Sequence, residues 1–466
     1  MNSDHREQPV FERFPDFIKD YIYSHHWNDL KKTQIEAANT IFYTNHHLLL
    51  TSSTASGKTE AAFFPIISEL YDNPCGSISV LYVAPLKSLI NDQFQRIGEV
   101  LDASGIPVTH WHGDVASSQK KKLTENPSGI LQITPESLEA MLIRRSNDIP
   151  RLFGDLRYVI IDEIHTLTGS DRGNQIICQL VKIAHLIGHT PRRIGLSATV
   201  GNPESAAQWL AGGTETETDI PLVPPAKIKW KLGLEHFFIQ NTSLNQTNDP
   251  LNVPRAQLDA GYEFMYDCVR DKKCLVFSNS REETEYLTAT FRQIAKYKGE
   301  EDRFLIHHGN LSAALREEAE LKLKNDDENV VTCATVTLEL GIDIGKLERI
   351  VQNQAPNSVM SFLQRLGRSG RREQPPEMMM VFREEDPLPN TPPPQMIPWQ
   401  LLQGIAVVQL YMEERFIEPP IRKKMPLSLA TCRIIAIFSA SAWNAGRRIG
   451  AGRKIDCFIA VCLLLF

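Results

Sequence analysis

Three short stretches hold the residues with chemistry to offer. The first is SSTASGKTEAA, residues 52–62, between the apolar run Leu48-Leu49-Leu50 and a segment with apolar residues at helical spacing. A loop of small residues at a helix N-terminus lets backbone N–H groups converge on phosphate oxygens, where unpaired amides and the helix dipole favour negative charge. In that arrangement Lys58 reaches the β- and γ-phosphates of a nucleotide and Thr59 holds Mg²⁺. Ser52 stands where the usual GxxxxGK[ST] pattern has its first glycine, and Gly57 is retained. The second stretch is RYVIIDEIHTL, whose apolar run delivers Asp162 and Glu163 to the carboxyl end of a strand, the place where ligands of open α/β sheets sit. Asp162 can bind Mg²⁺ through water, and Glu163 can orient and deprotonate the water that attacks a γ-phosphate. The third is QRLGRSGRR, with Arg365, Arg368, Arg371 and Arg372 packed around Gly367 and Gly370. Three residues apart on an expected helix, Arg368 and Arg371 would present two planar, permanently charged forks to phosphate from one face.

Chemistry of this kind needs strand ends and helix starts gathered at one edge, and the flanking sequence is built that way. SISVLYVAP is a β-branched run stopped by Pro85 and followed by a helical period. IPVTHWHGDV precedes a helix carrying Lys120, Lys121 and Lys122, and GILQITPESLEAMLIRR puts Pro135 at a helix start. RRIGLSATVGNPESAAQWL reads as a strand, a Ser197-Ala198-Thr199 turn and a helix capped by Asn202 ahead of Pro203. Residues 211–257 change to TETETD and prolines, a connection between domains. A second alternation then runs from KKCLVFSNS to MMMVF, with Met378 to Met380 read as buried strand. Such alternation implies an α/β fold with parallel sheets covered on both faces.

At 466 residues, two or three domains are expected. The net charge of −6 carries no global signal for nucleic acid, so a binding surface for it must be local. Eight cysteines without a CxxC pair argue against a disulfide framework and a four-cysteine zinc site, and read as buried thiols in a reducing compartment. His25-His26 and His46-His47 are neighbours rather than i,i+4 pairs, which disfavours a metal site at either. The polar N-terminus lacks the apolar core of a secretory signal, so a cytoplasmic location with no membrane partner is expected.

Taken together, the two α/β halves, one with a phosphate loop and DE and the other with an arginine cluster, resemble the superfamily 2 helicases over residues 27–420. The fold this implies is two RecA-like parallel-sheet domains in tandem, a P-loop NTPase helicase core binding ATP and Mg²⁺. On this resemblance Gln34 reads adenine, and Ser53, Thr54, Ala55, Ser56 and Gly57 belong with Lys58 and Thr59 to motif I. Asp162, Glu163 and His165 lie in motif II, and Ser197 and Thr199 in the motif that couples hydrolysis to domain movement. Pro85 and Lys87, together with Thr134, Pro135 and Glu136, correspond to the segments that grip a nucleic-acid backbone in the first domain. Ser278, Asn279, Ser280, Arg281 and Thr335 do so in the second, where Gly341 and Asp343 of motif V border the nucleotide. Gln364 falls near the attacking water, and Arg368 and Arg371 take the arginine-finger places.

WHGD, ITPESLEAML, DEIHTL, LSATVGNPE, LELGIDIG and WQLLQGIAVVQLYMEERFIEPP are together similar to the large-helicase-related (Lhr) branch. That likeness implies ATP-driven 3′-to-5′ movement on single-stranded nucleic acid, DNA favoured over RNA, in repair settings. The gap from Asp343 to Gln364 is too short for the long strand-separating hairpin of some relatives, so translocation is the firmer expectation. Two alternatives share the sequence: an ATPase that remodels protein–nucleic acid complexes without separating strands, and a non-catalytic binding protein built on a decayed core.

The organisation expected is an N-terminal extension (1–27), the first RecA-like domain (28–215), a linker (216–256), the second (257–386), a Pro-rich linker and start of an accessory domain (387–428), and an atypical tail (429–466). Residues up to Glu418 carry 42 basic and 55 acidic groups, and those after it 8 and 1. With the terminal apolar run CFIAVCLLLF, this shift suggests a frameshifted or truncated reading frame.

Overall fold

The computed structural model describes residues 4–52, 57–86, 97–111, 115, 117–198, 200–221, 229–239, 260–340, 344–370 and 375–420. The chain divides into two units, the first running to Pro225 and the second spanning Ala226–Glu418.

The first unit contains helices α1 (Asp4–Arg13), α2 (Asp16–Ser24), α3 (Lys32–Tyr43), α4 (Lys58–Asp72), α5 (Gly98–Ser104), α6 (Ser117–Glu125), α7 (Pro135–Arg144), α8 (Ile149–Phe153), α9 (Ile164–Leu167), α10 (Asp171–Ile187) and α11 (Pro203–Leu210). Its strands are β1 (His47–Thr51), β2 (Ile78–Val83), β3 (Val108–Trp111), β4 (Gly129–Ile133), β5 (Tyr158–Ile161), β6 (Arg192–Ser197) and β7 (Thr218–Asp219). They form a parallel sheet in the order β3-β4-β2-β5-β6-β1-β7. The central strands are buried from end to end, which is why LLL, ISVLYV and YVII read as unbroken apolar runs. Because every strand points the same way, Ser52, Ala84, Thr134, Asp162 and Ala198 all follow strand ends at one edge. Gly195 in β6 is required by packing, since a Cβ there would meet Ile164 Cδ1 at 2.2 Å. Its absence lets α9, which begins two residues after Asp162, lie against the sheet.

The second unit contains β8 (Lys231–Ile239), α12 (Ala260–Val269), β9 (Cys274–Phe277), α13 (Arg281–Lys298), β10 (Phe304–His307), α14 (Ala313–Lys324), β11 (Val331–Ala334), β12 (Arg349–Asn353), α15 (Val359–Leu366), β13 (Glu377–Glu385) and α16 (Trp399–Glu414). Its parallel sheet has the order β10-β11-β9-β12-β13-β8. Met378 and Met380 are buried in β13, and Met379 is half-buried.

Several boundaries differ from the sequence expectation. The N-terminal extension is integral to the first unit: Val10, Phe14 and Ile18 are buried, Phe14 meets Phe42 and Phe64, and Trp27 stacks on Phe64. The expected linker contains β7 and all of β8, which pairs with β13 from Lys231 to Ile239. An edge strand with no fully buried residue, β8 lacks the unbroken buried run by which the central strands are recognised. Residues 399–418, read as the start of an accessory domain, also pack on the second unit. Trp230 stacks on Tyr411, and the Glu418 carboxylate accepts from Val359 N and Met360 N at the start of α15. Cys268, Cys274 and Cys333 are buried free thiols, while Cys75 and Cys178 are only half-buried. The tail, 429–466, lies outside the described residues.

Candidate active site

The first unit's site begins where β1 ends. Gly57 takes a left-handed φ of +81°, open to glycine at little cost, and caps α4. A Cβ at Gly57 would also stand in tight contact, 3.1 Å, with Gln34 Nε2. The Gln34 amide is oriented from its other end by accepting from Lys31 N at 2.9 Å. The residue expected to read adenine is thus buried beside Gly57. Lys58 is the first residue of α4, and its ammonium donates to the Ser52 carbonyl at 2.6 Å. Thr59 follows, buried, in the first turn.

Asp162 follows β5, buried at the strand end. Its Oδ1 accepts from Glu163 N at 2.8 Å and its Oδ2 from the Tyr82 hydroxyl at 2.5 Å. Burial, and then the charge of Glu163, push its pKa up to about 6, against the pull of the Tyr82 and amide hydrogen bonds and of the Lys58 charge. Glu163 has a left-handed φ of +50°, a conformation that costs a non-glycine residue about 1–3 kcal/mol and clusters at functional sites. His165 Nδ1 accepts from Ala198 N at 3.3 Å and lies 3.3 Å from Ser197 Oγ and 3.4 Å from Glu163 Oε2. Since Nδ1 faces a backbone N–H, it carries the lone pair, and the ring is the neutral Nε2–H tautomer. The imidazole thus accepts from the end of β6 and stands beside the Glu163 carboxylate.

The donors here suit Mg²⁺. Asp162 and Thr59 offer oxygen only, the preference of a hard cation. The raised pKa of Asp162 marks a buried negative charge that its surroundings leave incompletely compensated, as a carboxylate facing a cation would be.

In the second unit the arginine cluster is arranged differently from the expectation. Helix α15 ends at Leu366 with Gly367 as its cap, and Gly370 turns the chain at φ +74°. Arg368 is therefore outside the helix, and Arg371 lies outside the described residues. Arg368 is buried and its Nη2 donates to the Glu339 carbonyl at 2.8 Å. Gln364, on the last turn of α15, is buried. Between them Arg365 is fully buried: Nε donates to Glu339 Oε2 at 2.9 Å, and Nη1 to Gln352 Oε1 at 2.6 Å and Asn279 Oδ1 at 3.3 Å. Asn279 is held in turn by donating to the Ala355 carbonyl at 2.8 Å.

The segments expected to grip nucleic acid also follow strand ends. In the first unit Pro85 is buried after β2, Thr134 caps α7 by accepting from Ser137 N, Pro135 opens that helix, and Glu136 is exposed in a two-pronged pair with Arg172. In the second, Ser280 caps α13 and Arg281 is exposed on its first turn. Ser278 and Thr335, which follow β9 and β11, are buried. Ser53, Thr54, Ala55, Ser56, Lys87, Thr199, Gly341, Asp343 and Arg371 lie outside the described residues. Tyr82 and Glu339 were not singled out in sequence, and Arg365 was read only as one of four clustered arginines. A tyrosine within a fully buried strand was the available signal for the first.

Residues 31–206 match the DEAD/DEAH box helicase family and residues 258–373 the helicase conserved C-terminal domain. The chain is 33% identical over 348 residues to ATP-dependent helicase Lhr-Core of Methanothermobacter thermautotrophicus, covering 70% of this chain and 39% of that protein. It is 31% identical over 382 residues to the Lhr helicase/probable uracil glycosylase of Mycolicibacterium smegmatis, covering 72% of this chain and 24% of that protein. The solved structure of Mycobacterium smegmatis helicase Lhr bound to ssDNA and AMP-PNP superposes with a TM-score of 0.74 at 29% identity, over 92% of this chain and 54% of that one. The chain thus spans well under two thirds of the length of these relatives. With both halves of the core matched in sequence and fold, the chain belongs to the DEAD/DEAH-box helicases of superfamily 2, and within them it is similar to the large-helicase-related branch.

Proposed function

We propose that this chain is an ATP-driven translocase or helicase acting on single-stranded nucleic acid, DNA in preference to RNA, moving 3′ to 5′ in repair or processing of DNA. The observation that carries the reading is the constellation at the edge of the first sheet. Lys58 opens the helix behind the phosphate loop that follows β1, Asp162 and Glu163 follow β5, which β6 separates from β1, and His165 stands beside both Glu163 and Ser197.

In this reading Lys58 binds the β- and γ-phosphates, Gln34 reads the adenine, and Thr59 and Asp162 hold Mg²⁺. The metal, when bound, neutralises phosphate charge. Glu163 accepts the proton of the attacking water, a role worth about 10²–10⁴ in rate. Arg368 and Arg371 stabilise the transferring phosphoryl charge, a contribution of about 10³–10⁵ where such fingers have been measured. His165 senses the state of Glu163 and passes it through Ser197 to the segment that follows. Backbone contacts from Thr134 and Pro135 in one unit and from Asn279 and Arg281 in the other then advance along one strand as the nucleotide is bound and hydrolysed. Contact with phosphate rather than base edges entails little sequence preference and a steep salt dependence.

ATP turnover measured without nucleic acid and with single-stranded DNA, RNA or duplex tests the reading. Strongest stimulation by single-stranded DNA is expected, and turnover indifferent to all three polymers would contradict it. A strand-displacement assay on the same protein separates a helicase from an ATPase that remodels complexes.

A further inference from the structure

Tyr82 sits in β2, where every residue is buried. A phenol placed inside a sheet must find an acceptor, because an unmatched buried hydroxyl costs on the order of 1–3 kcal/mol. Its acceptor is Asp162 Oδ2 at 2.5 Å. The contact is set by register: Tyr82 pairs with Ile160 on the adjacent strand β5, and Ile160 and Asp162, two residues apart, project to the same face. The Tyr82 ring also lies 5.9 Å from Phe63 on α4, the helix that Lys58 opens. With Oδ1 held by Glu163 N at 2.8 Å, both oxygens of the carboxylate are fixed, one by the backbone and one by a side chain from another strand.

We propose that Tyr82 is a positioning residue for the nucleotide's metal: its hydroxyl holds the Asp162 carboxylate in the orientation that receives hydrated Mg²⁺. The proposal rests on the nucleotide-site reading above and assigns that site a residue no sequence motif marks. Partners that orient a ligating carboxylate without touching the metal commonly change metal affinity by about 10–100-fold when removed. A second tyrosine supplies a matched control. Tyr158, at the start of β5, donates its hydroxyl to the Glu69 carboxylate at the opposite end of the strand from Asp162.

The test is the Mg²⁺ dependence of binding of a fluorescent, non-hydrolysable ATP analogue to the full chain, with thermal unfolding followed in parallel. Tyr82→Phe is expected to raise the Mg²⁺ concentration for half-maximal binding about 10-fold, with affinity at saturating Mg²⁺ near the wild-type value. Tyr158→Phe is expected to lower the unfolding temperature while leaving the Mg²⁺ curve in place. Superposable Mg²⁺ curves for wild type and Tyr82→Phe, or equal displacement by both substitutions, would overturn the proposal while leaving the nucleotide site intact. Wild-type binding indifferent to Mg²⁺ would overturn the nucleotide-site reading and the proposal together.

Discussion

At the carboxyl edge of the first sheet, Asp162 is buried with its pKa raised to about 6, beside a second carboxylate in a strained backbone conformation. At the same edge of the second sheet, Arg365 is buried with its guanidinium met by Glu339, Gln352 and Asn279. Buried charges thus stand near strand ends in both units, Asp162 directly after β5 and Arg365 on the last turn of α15, yet one is left short of compensation and the other is paired with a carboxylate of its own unit. The first pattern suits a group that awaits an incoming cation. The second suits a group whose work is to hold the segments around it, so a buried charge near a strand end does not by itself identify a reacting residue.

Substitutions that remove each charge should sharpen this contrast. The largest effect is expected from Glu163→Gln, which keeps the shape of the side chain but cannot accept a proton. Turnover should fall about 10²–10⁴-fold with nucleotide binding retained, as read by ATPase rate against analogue affinity; near-parental turnover would remove Glu163 from the role of base. Arg365→Met should destabilise the second unit by about 3–5 kcal/mol, because Glu339 is left buried without its partner. Adding Glu339→Gln should recover part of that loss in denaturant unfolding, whereas additive losses would show that the pair is not the source.

The pH dependence should separate two groups of the first unit. Asp162 has a folded pKa above its ordinary 3.8, so it holds a proton more firmly when folded and adds stability as pH falls from about 6 towards 4. His47 has the opposite sign. Burial, then the charges of Arg193 and Arg192, lower its pKa from 6.5 to about 4, so its contribution is present above 6.5 and lost as pH falls through 4. Asp162→Asn leaves the His47 contribution without its counterweight, and the variant should lose stability between pH 6.5 and 4 more steeply than wild type. Equal slopes would contradict the raised Asp162 pKa. The smallest effect expected is from Gln34→Ala, a few-fold loss of preference for ATP over GTP, about 1 kcal/mol for one hydrogen-bonding group; unchanged preference would free Gln34 from the base-reading role.

Much of the first unit was legible because its signals are local. The loop of small residues before Lys58, the apolar run ahead of Asp162, and the Thr134-Pro135 and Asn202-Pro203 caps each declare an element by composition and spacing alone. What was not legible depends on partners far along the chain. β8 is a strand because β13, about 140 residues later, pairs with it, and its own half-exposed pattern carries no such message. Arg365 looked like one of four equivalent arginines until Glu339, Gln352 and Asn279 were found around it. The end of α15 at Leu366 was hidden for a similar reason. Gly367 and Gly370 were visible in the sequence, but whether they interrupt a helix or merely weaken it is not set by their own composition.

The central claim is that Asp162 is a charge held in readiness for a metal-bound nucleotide, and thermal unfolding of Asp162→Asn with and without Mg²⁺ and an ATP analogue tests it most directly. Without ligand at neutral pH the variant should be more stable than wild type, on the order of 1–3 kcal/mol, because a buried carboxylate with a raised pKa has been replaced by a neutral amide. With Mg²⁺ and the analogue, wild type should be stabilised and the variant should respond little. A variant less stable than wild type without ligand, yet stabilised equally by Mg²⁺ and the analogue, would contradict the account.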